Sequence, residues 1–127
     1  TKPGVMIRKS LTPNSAHASA LLLPHWNGAL VTRSTDGGET KTLGSTHLGE
    51  SHIIKKNRLS TPYWLKISKS GTTVIGYMSP DGDVWQKLAE ADIDLGNNYF
   101  VGLPACSQLD KVTTRVTYDR VQILQNN

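Results

Sequence analysis

The sequence predicts an all-β fold, an antiparallel β-sandwich. Strand-favouring residues are abundant, with thirteen Thr, eight Val and seven Ile against three Glu in a chain of 127 residues. Eleven Gly and six Pro interrupt the chain at short intervals, as the turns of sandwiches and barrels do. Since this length suits one domain, we expect residues 1–127 to form a single sandwich.

Four strands are predicted in the first half of the chain. They are Gly4–Arg8, Ala16–Leu23, Gly28–Ser34 and Glu39–Leu43. Turns are expected at Pro13–Ser15 and Asp36–Gly38, because these residue types adopt turn conformations readily. Within the third strand, Leu30 and Thr32 share one face, and Val31 and Arg33 share the other. Residues 44–60 are predicted to form a long surface loop with room for one short strand.

Five more strands are predicted in the second half of the chain. They are Tyr63–Lys69, Thr72–Ser79, Val84–Leu88, Tyr99–Ser107 and Thr113–Leu124. Ser70–Gly71 and Pro80–Asp83 are expected to be tight turns. Leu65 and Ile67 alternate with polar neighbours, which indicates a strand with one buried face. Residues 89–95 are predicted to be a connection, with room for a single helical turn.

Composition argues against several classes of function. Fourteen Lys and Arg against ten Asp and Glu give a net charge of +4, and the basic cluster Lys55–Arg58 has no aromatic residue before Tyr63. Nucleic-acid binding is therefore not expected, because it needs basic residues interleaved with stacking rings. The longest apolar run, Ala20–Leu23, is far shorter than the roughly 20 residues of a membrane span. The single cysteine, Cys106, excludes an internal disulfide and predicts a buried reduced thiol.

The acidic residues do not form an obvious catalytic pair. A glycoside hydrolase needs two carboxyl groups roughly 5 to 10 Å apart across the scissile bond. Glu39, Glu50 and Glu90 each stand alone on a predicted loop or turn. Asp92 and Asp94 have strand spacing but fall in the predicted connection. The sequence therefore favours a non-catalytic protein.

Metal sites are weakly supported by residue spacing. His47 and His52 share one predicted loop, but no third ligand accompanies them. Asp81 and Asp83 flank a glycine, which suits either a calcium site or a plain hairpin turn. The plain turn is favoured because no third carboxylate is near in sequence. We expect no cofactor, with calcium as the one alternative.

Several segments resemble the DUF1349 family, and they follow the family's order nearly end to end. The matching segments are Pro3–Arg8 with Ser10–Leu11, Tyr63–Ile67, Gly76–Tyr77 with Asp81–Gly82 and Trp85, Tyr99–Leu103, and Tyr118–Val121. The resemblance implies a concanavalin A-like, laminin-G-like jelly roll, used as a module of secreted bacterial proteins. Lys9 stands where the family often has an acidic residue. The family domain also has strands before this point, so the resemblance implies either that residues 1–127 are the C-terminal part of a larger jelly-roll domain or that a partner segment fills the gap.

A carbohydrate-binding role follows from this resemblance and needs exposed aromatic faces with fixed polar groups. Trp26 is the best exposed candidate, and Arg8, Arg33, Lys66 and Tyr77 are predicted to line one polar face. Two alternatives stay open: Trp26 folds back onto the sandwich edge, and the two arginines form ion pairs with a carboxylate such as that of Asp119.

The remaining tryptophans, Trp64 and Trp85, are predicted to pack rather than to bind ligand. The resulting hypothesis is a non-catalytic carbohydrate-binding module of a larger secreted or periplasmic bacterial protein. A structural or protein-interaction module that docks neighbouring domains is the alternative, and a small glycoside hydrolase is a less favoured one. The expected partners are carbohydrate or neighbouring domains, with no nucleic acid and no membrane span.

Overall fold

The computed structural model describes residues 3–23, 27–47, 63–105 and 116–124. Within these ranges the chain is all β, which confirms the predicted fold class. None of the described residues belongs to a helix that could cross a membrane. The eight strands are β1 (Gly4–Arg8), β2 (His17–Leu23), β3 (Asn27–Arg33), β4 (Thr40–His47), β5 (Trp64–Ser70), β6 (Thr73–Ser79), β7 (Gln86–Asp92) and β8 (Phe100–Gly102).

The strands form two antiparallel sheets packed face to face, which confirms the predicted sandwich. One sheet has five strands in the order β4-β3-β2-β1-β8, and the other has three in the order β5-β6-β7. Strands β1 and β2 lie over β5, while β3 and β4 lie over β7, with β6 between. Each sheet therefore has one inner face toward the core and one outer face.

The core fills the space between the inner faces. Ile7, Ala18 and Leu30 from the larger sheet are buried against Val74 of the smaller one. A second cluster joins Ala20, Met78 and Leu88, and Leu65 and Ile67 pack against its edge. Leu30 and Thr32 are both buried, and Leu65 and Ile67 share the inner face, so the predicted alternation is confirmed in β3 and β5.

Strand β7 lies further along the chain than the sequence predicts. The strand was expected at Val84–Leu88 with a connection at 89–95, but it begins at Gln86 and ends at Asp92. Pairing with β6 decides these bounds, since Ala91 lies opposite Val74 in the ladder. Alanine and glutamate have low strand propensity, and only the tertiary pairing outweighs it.

The C-terminal predictions are partly wrong. A strand was predicted at 99–107, of which residues 99–105 are described. Within them, strand β8 covers only three residues, Phe100–Gly102. The strand predicted at 113–124 is not formed over 116–124, where Arg120 adopts a φ of 53°. A positive φ interrupts an extended strand, and local sequence pattern does not reveal it. In contrast, β4 runs to His47, into the predicted loop.

Candidate functional site

The structure separates the predicted ligand-binding residues into two groups. Arg8 in β1 and Arg33 in β3 belong to the five-stranded sheet, while Lys66 in β5 and Tyr77 in β6 belong to the three-stranded sheet. Each of the four is next in sequence to a residue that is buried or packed against the core, so the four side chains lie on outer faces. These neighbours are Ile7, Thr32, Leu65 and Met78. The four residues therefore do not share one face, because each sheet of a sandwich has its own. The fifth, Trp26, lies outside the described residues.

On the smaller sheet, one ammonium group lies between two aromatic rings. Nζ of Lys66 is 4.5 Å from the ring centroid of Tyr77 and 4.3 Å from that of Trp85. Both distances allow cation–π attraction. Lys66 is exposed, and both aromatic residues are half-buried, so the group is open to solvent on the outer face. We refer to these three residues as the Lys66 cluster.

Strand pairing explains how the cluster assembles. Lys66 lies directly opposite Tyr77 in the β5–β6 ladder, and Lys87 lies opposite Tyr77 on the other side. Directly opposite side chains are about 5 Å apart, so Tyr77 has a lysine on each flank. A register shift between Gly76 and Tyr77 accompanies this arrangement. Sequence reasoning predicted that Trp85 packs, because it belongs to the pattern shared with the family. Its contact with Lys66 joins residues distant in the chain and has no local signal.

A hydrogen-bonded turn leads the chain from β6 to Trp85. Oδ1 of Asp81 accepts hydrogen bonds from the Oγ of Ser79 at 3.0 Å and from the backbone N–H groups of Asp83 at 2.8 Å and Val84 at 3.0 Å. The two backbone hydrogen bonds and then that of Ser79 lower the pKa of the Asp81 carboxyl group. The carboxylate therefore serves the turn, which matches the plain-turn interpretation. The described residues include no group of three His, Cys, Asp or Glu placed to hold a metal ion.

The charges around the cluster leave Lys66 available to a ligand. The ion pair on this sheet joins Lys87 to Glu90. Among the described carboxylates, none lies within ion-pair distance of Lys66. An ammonium beside two partly open rings can donate hydrogen bonds while the rings offer apolar contact. This combination suits ligand binding.

Trp64 has a different environment from Trp85. A Cβ atom at Gly82 would lie only 2.8 Å from Cε2 of Trp64, so the 80–83 turn packs closely against the ring. The guanidinium carbon of Arg120 is 5.9 Å from its ring centroid. With these groups against it, Trp64 serves packing, as the sequence predicts.

On the larger sheet, the two arginines hold a loop. Arg8 donates from Nε to the carbonyl of Ser10 at 3.0 Å and from Nη2 to that of Thr12 at 2.6 Å. Arg33 donates from Nη1 to the carbonyl of Pro13 at 2.8 Å. Neither forms an ion pair with a described carboxylate, so the alternative of pairing with Asp119 is wrong for the described chain. The guanidinium groups therefore fasten residues 10–13 over the end of the sheet.

A histidine lies between these arginines. His17 is directly opposite Arg8 on one side and Arg33 on the other, and only 8% of it is exposed. Burial, followed by the charges of Arg8 and Arg33, lowers the pKa of its imidazole from 6.5. The imidazole is therefore neutral at neutral pH.

Two of the predicted acidic candidates, Asp94 and Glu90, have partners within the structure. Oδ1 of Asp94 accepts the backbone N–H of Gly96 at 2.9 Å, and the carboxylate of Glu90 pairs with Lys87. Oδ1 of Asp36 similarly accepts the backbone N–H of Ala16 at 2.9 Å. These three carboxylates therefore hold backbone groups or an ion pair.

Several predictions concern residues that the structure does not describe. Glu50, His52, Lys55–Arg58 and Cys106 lie outside the described ranges, and the side chain of His47 is also not described. No family model matches the chain, and no curated protein or solved structure matches it either.

Proposed function

We propose that this protein is a non-catalytic carbohydrate-binding module, with the Lys66 cluster as its contact surface. The observation that carries the proposal is the placement of the Lys66 ammonium within 4.5 Å of the centroids of two half-buried aromatic rings on an outer face. Sugar rings bind through apolar C–H faces and through hydroxyl groups, which require aromatic surface and hydrogen-bond donors together.

In this proposal the rings of Tyr77 and Trp85 contact the C–H face of a sugar. The ammonium of Lys66 donates hydrogen bonds to the sugar hydroxyl oxygens. Trp26 remains a proposed second aromatic contact, and Arg8 and Arg33 remain proposed contacts on the opposite outer face. The resemblance to the DUF1349 family supports the same role and extends the proposal to a jelly-roll module of a secreted bacterial protein.

The proposal is tested by calorimetric titration with oligosaccharides chosen from a glycan array. Tyr77→Ala removes one ring of the cluster and should weaken binding about tenfold, which corresponds to about 1.4 kcal/mol. Tyr99→Ala is the matched control. Tyr99 also has a lysine over its ring, with Nζ of Lys69 4.8 Å from the ring centroid, but this pair does not belong to the Lys66 cluster. Equal affinities of the Tyr77→Ala and unmodified proteins would remove the cluster from the site, and loss of binding in Trp26→Ala alone would move the site to Trp26.

A protein-interaction module is the second candidate function. Strand β8 lies at the edge of the larger sheet, and Phe100 and Val101 within it are 47% and 51% exposed. A short edge strand with exposed apolar side chains can dock a neighbouring folded domain. If no array glycan binds, and Phe100→Ser abolishes copurification with an adjacent domain of the parent protein, this second function replaces the first.

A further inference from the structure

The Lys66 ammonium carries a positive charge that no carboxylate offsets within the described part of the chain. The described ion pair joins Lys87 to Glu90, and among the described residues no acceptor takes a hydrogen bond from Lys66. Its contacts are the rings of Tyr77 and Trp85, whose centroids lie 4.5 and 4.3 Å from Nζ. Since Lys66 is exposed and an ammonium has three N–H donors, this group can meet an anion from solvent.

The carboxylates on the same outer face lie toward its other end. In the β6–β7 ladder Lys87 is opposite Tyr77, whereas Glu90 and Asp92 are opposite positions two and four residues away from Tyr77 along β6. Four residues of a strand span about 13 Å, which is more than the Debye length of about 8 Å at physiological salt, so the charge of Asp92 is screened. Glu90 is paired with Lys87. The end of the face that holds the Lys66 cluster is therefore cationic.

A ligand that matches this surface has an apolar ring face and a negative charge. A neutral sugar supplies C–H groups for the two aromatic rings and hydroxyl acceptors for the ammonium, but it leaves the positive charge in place. A sugar with a carboxylate or sulfate group supplies the same contacts and adds a charge-assisted hydrogen bond, which is stronger than a neutral one. Charge complementarity therefore favours an acidic sugar over its neutral counterpart.

We propose that the Lys66 cluster binds an acidic sugar, with the carboxylate or sulfate group on Nζ of Lys66 and the sugar ring against Tyr77 and Trp85. This inference rests on the proposed carbohydrate-binding function and names its substrate class. Lys87, on the other side of Tyr77, contributes little to the attraction because Glu90 offsets its charge.

The test is a calorimetric titration with matched pairs of trisaccharides. Each pair consists of a trisaccharide of galacturonic, glucuronic or mannuronic acid and its carboxyl-reduced form, in which a hydroxymethyl group replaces each carboxylate. In at least one pair the acidic member should bind about fivefold more tightly than the neutral one at low salt. Added sodium chloride should reduce this preference, because an exposed ion pair is screened.

A sulfated galactose trisaccharide provides the second source of the same anionic chemistry. Tighter binding of this ligand than of all three uronic acid trisaccharides would assign the anion to a sulfate ester. Tighter binding of a uronic acid trisaccharide would assign it to a carboxylate.

Two substitutions in β5 locate the anion contact. Lys66→Gln removes the charge and keeps a polar side chain, so it should abolish the preference for the acidic member of the pair. Lys69→Gln is the matched control, because Lys69 is in the same strand and also lies over an aromatic ring, that of Tyr99, 4.8 Å from its centroid. This control should keep the preference, since Lys69 is not part of the Lys66 cluster.

Glu90→Gln provides a gain of affinity that loss of folding cannot imitate. The substitution leaves the Lys87 ammonium without its partner, so Tyr77 then has an unpaired cation on each flank. The affinity for the acidic trisaccharide should rise about twofold, while the affinity for the neutral one should stay the same.

The inference is overturned if the acidic and neutral members of every pair bind equally, if only neutral glycans bind, or if Lys66→Gln keeps the acidic preference. In each of these cases the proposed carbohydrate-binding function still stands. If no array glycan and no trisaccharide binds, that function fails and the inference fails with it.

Discussion

At the scale of single residues, polar groups of this protein mostly fasten backbone. The Asp81 carboxylate holds the turn between β6 and β7, and the guanidinium groups of Arg8 and Arg33 hold residues 10–13. Each of these residues is a natural candidate for ligand contact by type alone. The structure shows that each of them is already bonded to backbone groups, so residue type alone does not identify a ligand contact.

His17 should make folding stability sensitive to mild acid. Its pKa is lowered in the folded state, so below the ordinary value of 6.5 the unfolded chain takes up a proton that the folded chain resists. Above pH 6.5 this group should not affect the free energy of unfolding. As the pH falls from 6.5 toward the lowered pKa of His17 in the folded protein, the free energy of unfolding should decrease. Urea unfolding in bis-Tris chloride at several pH values across this range measures the effect.

His17→Asn is the control for this prediction. The variant lacks the titrating imidazole, so its stability should change less over the same pH range. Asp81 does not interfere, because its lowered pKa affects stability only below its ordinary value of 3.8. A variant that loses as much stability on acidification as the unmodified protein would show that His17 is not the source.

At the scale of elements, the turns decide where strands begin and what they present. The turn at 80–83 separates β6 from β7 and packs against Trp64 through Gly82. Gly82 has a φ of 78° and Gly71, in the β5–β6 turn, has a φ of 61°. Both positions favour glycine for backbone reasons, but only Gly82 has a ring against it.

Gly82→Ala should therefore destabilise the protein more than Gly71→Ala. Both substitutions carry a left-handed backbone cost of about 1–2 kcal/mol. Gly82→Ala adds contact with Trp64, and crowding of this kind typically costs about 1–3 kcal/mol more. Urea unfolding of both variants measures the difference, and equal losses would show that the turn moves away from Trp64 without cost.

At the scale of the whole molecule, small residues let the two sheets approach. Gly76 in β6 lies beneath Leu30 of the opposite sheet, and a Cβ atom there would lie 3.0 Å from Cδ1 of Leu30 and 3.6 Å from Cβ of Ala20. Close-packed interiors transmit such a contact to the neighbouring strands. Gly76 therefore sets part of the distance between the sheets.

Gly76→Ala should lower the free energy of unfolding by about 1–3 kcal/mol through overpacking. Gly102→Ala is the matched control, because Gly102 is also a strand glycine but has no atom within 4 Å of its added Cβ. Its effect should stay within about 0.5 kcal/mol. Equal stabilities of the two variants would show that the sheets can separate slightly at Gly76.

The sequence by itself determined the fold class and most strand positions in this protein. Strand propensity, glycine and proline turns, and the alternation around Leu30 and Leu65 are local signals, because each arises within a few residues. The same signals located β1, β2, β3, β5 and β6 within about two residues of their observed bounds. They also led to Arg8, Arg33, Lys66 and Tyr77 as outward-facing residues.

Only the tertiary structure decided which of these residues meet. The strand order placed the arginines and the Lys66 cluster on opposite outer faces, and tertiary packing brought the rings of Tyr77 and Trp85 to the Lys66 ammonium. The bounds of β7 were likewise set by pairing with β6 rather than by propensity. Sheet order and register arise from contacts between residues distant in the chain, and a local sequence pattern contains no record of them.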